Sequence, residues 1–129
     1  MVVLDASALI ALLDVDDAHH ARITARLDGQ LHARWLISSL TLAEVLVRAT
    51  ADPDLMAELT EEIADLQIEV VPLLDTDTES LAALRGHARL RMPDCCVALV
   101  AQNAGAAIVT TDETLNERAS EIGIRVLPD

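Results

Sequence analysis

A chain of 129 residues, 52 % of them hydrophobic, forms one domain around one core, and with Trp35 its only aromatic residue that core falls to Leu, Val, Ile and Ala. Its 22 acids face 9 basic residues, all arginine; the absence of lysine excludes Schiff-base chemistry, a P-loop phosphate lysine and the lysine of receiver or haloacid-dehalogenase-type phosphotransfer sites. The net charge of −13 excludes non-specific nucleic-acid binding through a broad basic surface, so any such partner must be held locally or through metal ions.

In chain order, "VVLD" predicts a short buried strand, and "SALIALLD" and "AHHARITARLDG" two helices, the second stopped by Gly29. "WLISS" reads as a strand, followed by the helices "TLAEVLVRA" and "DLMAELTEEIADL", the latter with Pro53 at its start. "IEVVPL" is a strand closed by Pro72; the helices "TESLAALRGHARL" and "PDCCVALVAQNAG" follow, with Pro93 in a first turn and Gly105 as a stop. "AAIVTT" is the fourth strand, "ETLNERA" a short helix, and "IRVLP" a fifth strand ended by Pro128. Five short apolar strands alternating with helices predict one α/β domain over residues 1–129, its parallel sheet covered on both faces.

Ten acids lie between Asp52 and Glu79 without an Arg or His among them, the pattern of a solvated helix face. "DTD" at Asp75–Asp77 is similar to the paired acids of a topoisomerase-primase-type site, but no glutamate ends the first strand to match it, so it reads as a loop. Cys95 and Cys96 are adjacent and cannot face one another on a helix; they read as small buried hydrophobes in a reducing compartment. A secretory leader and a membrane span are both missing from the pattern, and the expected location is the cytoplasm.

In open parallel sheets, residues just past the carboxyl ends of the strands line the ligand crevice. Asp5 ends the first strand, Glu44 lies in the helix after the second, Asp94 begins the helix before the fourth, and Asp112 follows the fourth. Clustered carboxylates repel each other unless a cation lies between them, and an all-oxygen set suits Mg²⁺ or Mn²⁺. Each acid also has a local reading: Asp5 and Asp112 as helix N-caps, Glu44 as the last member of a "TLAE" capping box, Asp94 as a first-turn acid complementing the helix dipole. Arg22 with Arg26, and Arg85, Arg89 and Arg91 just ahead of Asp94, are the candidate phosphate contacts. Without Tyr or Phe, base stacking is nearly unavailable, and a structured nucleic acid recognised by shape would need little of it.

The stretches "VLDASALIALL", "SSLTLAEVL", "MPDCCVALVAQNAGAAIVTTDETL" and "IRVL", in this order and spacing across essentially the whole chain, resemble a PIN domain, and more closely the ribonuclease toxin of a VapBC-type toxin-antitoxin pair. The resemblance implies a three-layer α/β/α fold with a five-stranded parallel sheet. It further implies a Mg²⁺- or Mn²⁺-dependent endoribonuclease acting on RNA, a homodimer, and a small antitoxin that wraps over the site. It assigns Asp5, Glu44, Asp94 and Asp112 to the metal and catalytic site, with Ser7 and Thr110 orienting carboxylates or water behind it. The sequence departs from the family pattern at Leu115, where an aromatic residue is frequent, and at Cys95, where a less reactive small residue is. Three other readings stand beside this one: a PIN-like binding module with little or no nuclease activity, a metal-free ribonuclease using His19, His20 or His87, and a phosphoacceptor regulator, against which the missing lysine counts.

Overall fold

The computed structural model describes the whole chain, Met1–Asp129. Its elements are β1 (Val2–Leu4), α1 (Ala6–Leu13), α2 (His20–Asp28), β2 (Trp35–Ser38), α3 (Ser39–Leu46), α4 (Pro53–Asp65), β3 (Glu69–Val71), α5 (Thr78–His87), α6 (Met92–Ala104), β4 (Ala107–Val109) and α7 (Glu113–Glu121). Single 3₁₀ turns lie at Val47–Ala49 and Asp75–Asp77, so the "DTD" segment is a turn rather than an irregular loop. The strands form one parallel sheet in the order β3-β2-β1-β4, with Val2 opposite both Trp35 and Ala107 and Leu36 opposite Glu69.

Strand alternation divides the core into two. Val2, Leu4, Ile37 and Val109 pack against α1, α2, Val45 of α3 and Ile63 of α4. Their neighbours Val3, Leu36 and Ile108 point the other way, against Leu84 of α5, the apolar side of α6, and Leu115 and Ala119 of α7. Three layers result, α/β/α, because an apolar strand needs a helix over each face.

The sheet has four strands where five were expected. "IRVLP" contributes a single parallel bridge, Val126 to Ile108. The Ile108 N–H donates to the Arg125 carbonyl (2.9 Å) and the Leu127 N–H to the Ile108 carbonyl (2.8 Å), but the ladder cannot extend. On one side the Ala106 N–H is committed to the Ala101 carbonyl at the end of α6 (3.0 Å). On the other, the Thr110 carbonyl, which the Asp129 N–H would have to reach to continue the ladder, accepts from the Arg26 guanidinium (3.0 Å). Coverage on both faces also fails at β3, an edge strand with Glu69 and Val70 exposed. The Arg34 guanidinium donates twice to the Glu69 carboxylate (2.7 and 2.8 Å), placing charge on that edge.

Helix boundaries follow local chemistry. Asp52 caps α4, accepting from the Leu55 N–H (3.2 Å), with Pro53 at the first helical position. Gly105 closes α6 at φ 64°, and α5 stops at His87, short of Arg89 at φ 55°. The acids of α4 face solvent.

Candidate active site

All strands of a parallel sheet end at the same edge, so residues following β1, β2 and β4 are gathered there whatever their separation in sequence. Asp5 is the first residue past β1, and Asp112 lies three past β4. Glu44 arrives on α3, which leaves β2 directly, and Asp94 lies in the first turn of α6. All four line one cleft of about 70 Å³, with Ser7, Arg91 and the apolar Ala6, Pro93 and Val97. That space admits an ion and a few waters, not a nucleotide base.

The local readings divide the four acids. Asp5 caps α1, its Oδ1 accepting from the Ala8 N–H (2.9 Å), and Asp112 caps α7, accepting from the N–H groups of Thr114 (2.8 Å) and Leu115 (3.2 Å). The capping-box reading of Glu44 fails, because α3 begins before it: Ser38 is the N-cap, accepting from the Thr41 N–H (3.0 Å), which leaves Glu44 in mid-helix. Asp94 caps nothing. Two acids are therefore anchored by helix ends, and two carry no backbone duty.

Asp5 is the most tightly held. The Ser7 hydroxyl donates to its Oδ1 (2.7 Å) and the Thr110 hydroxyl to its Oδ2 (2.5 Å). The same hydroxyls accept from β4's continuation, Ser7 from the Thr111 N–H (3.1 Å) and Thr110 from the Asp112 N–H (3.0 Å). The ends of β1 and β4 are thereby locked together around one carboxylate.

Burial raises the Asp5 carboxyl above its ordinary range, the three hydrogen bonds opposing this and the charge of Asp94 adding to it. Asp94 is raised by burial too, with Arg91 pulling down and Asp112 pushing up. Glu44, exposed as a residue, is raised by partial desolvation of its carboxyl and then by Asp94, against Arg91. Burial is the leading cause for all three, and repulsion between the acids adds to it.

Arg91 is the one cation lining the cleft, its Nε 3.5 Å from Asp94 and a terminal nitrogen 3.9 Å from Asp112. The other candidate phosphate contacts are placed elsewhere. Arg85 and Arg89 are exposed outside the cleft, and the Arg89 carbonyl accepts from Arg118. Arg22 and Arg26 are engaged with Asp129, a partner that nothing local in the sequence signals. No histidine lines the cleft, which leaves the metal-free histidine reading without a base there.

The donor set fits a hard divalent cation in kind: four carboxylates on an open, polar cleft, three of them raised by their environment. No three Asp, Glu, His or Cys side chains are drawn close enough to enclose an ion as they stand. Holding one would require these side chains to draw closer together than they stand. No helix is long and apolar enough to cross a membrane.

The family model "PIN domain" matches residues 2–121. The chain is similar in structure to FitAcB from Neisseria gonorrhoeae, with TM-score 0.76 and 18 % identity over 99 % of this chain and 97 % of that one. VapBC2 from Rickettsia felis, solved bound to a DNA fragment from its promoter, matches with TM-score 0.72 and 15 % identity over 99 % and 98 % of the two chains. A toxin-antitoxin complex from Klebsiella pneumoniae matches with TM-score 0.67 and 20 % identity over 90 % of each. No curated protein matches the sequence.

Proposed function

Because the chain belongs to the PIN-domain family, we propose that it is a divalent-metal-dependent endoribonuclease and the toxin of a toxin-antitoxin pair. In this reading it works in the cytoplasm as a homodimer, and a small antitoxin protein covers the cleft. The observation that carries the proposal is the convergence of Asp5, Glu44, Asp94 and Asp112 on one cleft at the carboxyl edge of the sheet. Structural likeness to a toxin-antitoxin complex supports the partner.

Asp5, Glu44, Asp94 and Asp112 are the residues that would hold Mg²⁺ or Mn²⁺, which when bound supplies a Lewis acid for the scissile phosphate and a water of lowered pKa. Four carboxylates alone would repel a phosphodiester, so charge neutralisation in the cleft is a precondition for RNA binding. Ser7 and Thr110 fix the direction of both Asp5 oxygens. A carboxylate not used in coordination accepts the proton of the attacking water, a role suited to an acid raised by burial. Arg91, at the rim and mostly exposed, is placed to pair with a phosphate oxygen once it leaves the acids. Attack by water rather than by the ribose 2′-hydroxyl predicts 5′-phosphate and 3′-hydroxyl products.

The test is calorimetric titration of Mn²⁺ into the parent and into Asp94→Asn, both shown to be folded. Saturable binding lost in the variant supports the reading. No binding up to millimolar Mn²⁺ overturns it in favour of a PIN-like partner-binding domain, a reading that the separation of the carboxylates also favours. RNA cleavage abolished by EDTA, with a 5′-phosphate on the product, is the second check; a 2′,3′-cyclic phosphate would sink the proposed chemistry.

A further inference from the structure

Arg22 and Arg26 lie one turn apart on α2, and both reach the same carboxylate oxygen of Asp129. Arg22 donates to it through Nε (2.7 Å); Arg26 donates through Nε (2.6 Å) and contacts it with a terminal nitrogen as well. The remaining terminal nitrogen of Arg26 donates to the Thr110 carbonyl (3.0 Å), and the Thr110 hydroxyl is the one that holds Asp5. The Arg26 side chain is only 6 % exposed, whereas Asp129 is 61 % exposed. A buried guanidinium with a second arginine beside it, opening to solvent at the position of one anionic oxygen, is a built oxyanion site.

We propose that Arg22 and Arg26 form a phosphate subsite beside the acidic cleft, and that Asp129 occupies it in the free protein as a competing internal anion. Arg26 cannot be left unpaired once desolvated, so the site always demands an anion; release of Asp129 is an exchange of one for another. Asp129 suits such an exchange. It lies in no helix or strand, and neither it nor Pro128 makes a backbone hydrogen bond after the Leu127 N–H to Ile108 carbonyl contact. Arg26 holds the backbone carbonyl of the same residue whose hydroxyl holds Asp5, so the subsite adjoins the cleft through Thr110. Assigning the phosphate to an RNA backbone rests on the ribonuclease reading; the oxyanion site itself does not.

The test is made in EDTA, where no metal-dependent cleavage contributes. Inorganic phosphate is titrated by calorimetry into the full chain as parent, Asp129→Asn, and Asp129→Asn with Arg22→Gln. Glu121→Gln, which removes the same charge from an exposed position on α7, is the control. Removing the internal competitor raises the fraction of open sites, so Asp129→Asn should bind phosphate at least about fivefold more tightly than the parent. The control should not, and Arg22→Gln should cancel the gain; Arg22 is chosen over Arg26 because its side chain is 35 % exposed against 6 %. A gain no larger than the control's, or one that survives Arg22→Gln, overturns the subsite. Repeating the series with a short RNA stem-loop separates the two phosphate sources. A matching gain assigns the subsite to an RNA backbone, and a gain with inorganic phosphate alone overturns that assignment. Failure of Mn²⁺ binding would overturn the nuclease reading without touching either result.

Discussion

At the residue scale, the four acids are separable by what else they do. Asp94 is buried, caps nothing and is raised by desolvation, so its folded form holds a proton more tightly than its unfolded form. Between the ordinary carboxylate range and the raised value the native state binds more protons, and stability therefore falls as pH rises through that window. In EDTA at about pH 7, Asp94→Asn should melt above the parent, with the difference narrowing as pH is lowered toward about 4; a constant or opposite difference would contradict the assigned burial cost. Asp129 and Glu69, held below their ordinary values by arginines, act in the reverse sense but are common to both proteins and cancel, whereas Asp5 and Glu44, which the charge of Asp94 helps to raise, are relieved in the variant and add to the difference in the same sense. Asp112 differs, because its cap contributes to the fold. Asp112→Ala should lose about 1 kcal/mol in urea unfolding while Asp112→Asn, which still accepts from the backbone, loses much less. At the proposed metal site, Ser7→Ala should weaken Mn²⁺ binding by about 10–100-fold, and it should also lower the melting temperature, because the Thr111 N–H loses its acceptor as Asp5 loses a donor.

At the element scale, what matters is where helices start and stop, because the cleft is built from helix ends. Asp5 and Asp112 open α1 and α7, and Asp94 sits in the first turn of α6, so three helix N-termini face the acids and partly offset their charge. The far end of α6 is set by Gly105 at φ 64°, where an added Cβ would meet nothing within 4 Å. Gly105→Ala should therefore cost only the left-handed penalty of roughly 1–2 kcal/mol, seen as a lower urea midpoint with unchanged slope. A larger loss would show that the turn also sets how α6 packs.

At the scale of the whole molecule, a charge of −13 on 129 residues is a standing self-repulsion with few compensating pairs. Added NaCl should raise the melting temperature of the metal-free protein, as screening relieves that repulsion more than it weakens exposed ion pairs; a fall would mean the ion pairs dominate. The two-sided core is the opposing term. Ile37, fully buried in the central sheet, should cost about 2–5 kcal/mol on change to Ala, measured by urea unfolding.

Strand and helix identity, the parallel α/β layering and the family motifs were all legible in the sequence, because alternation, helical periodicity and Pro or Gly punctuation are local signals. So was the edge of the sheet at which Asp5, Glu44, Asp94 and Asp112 would gather, since parallel strands share one carboxyl end. Tertiary structure alone decided three other matters. The fifth strand shrinks to one bridge because distant groups, Arg26 and Ala101, take the partners its ladder would use. Glu44 leaves its capping box because Ser38, not Thr41, starts the helix. Arg22 and Arg26 turn from the cleft to Asp129, more than a hundred residues away, because hydrogen bonding is settled by which groups meet after folding and not by sequence neighbours.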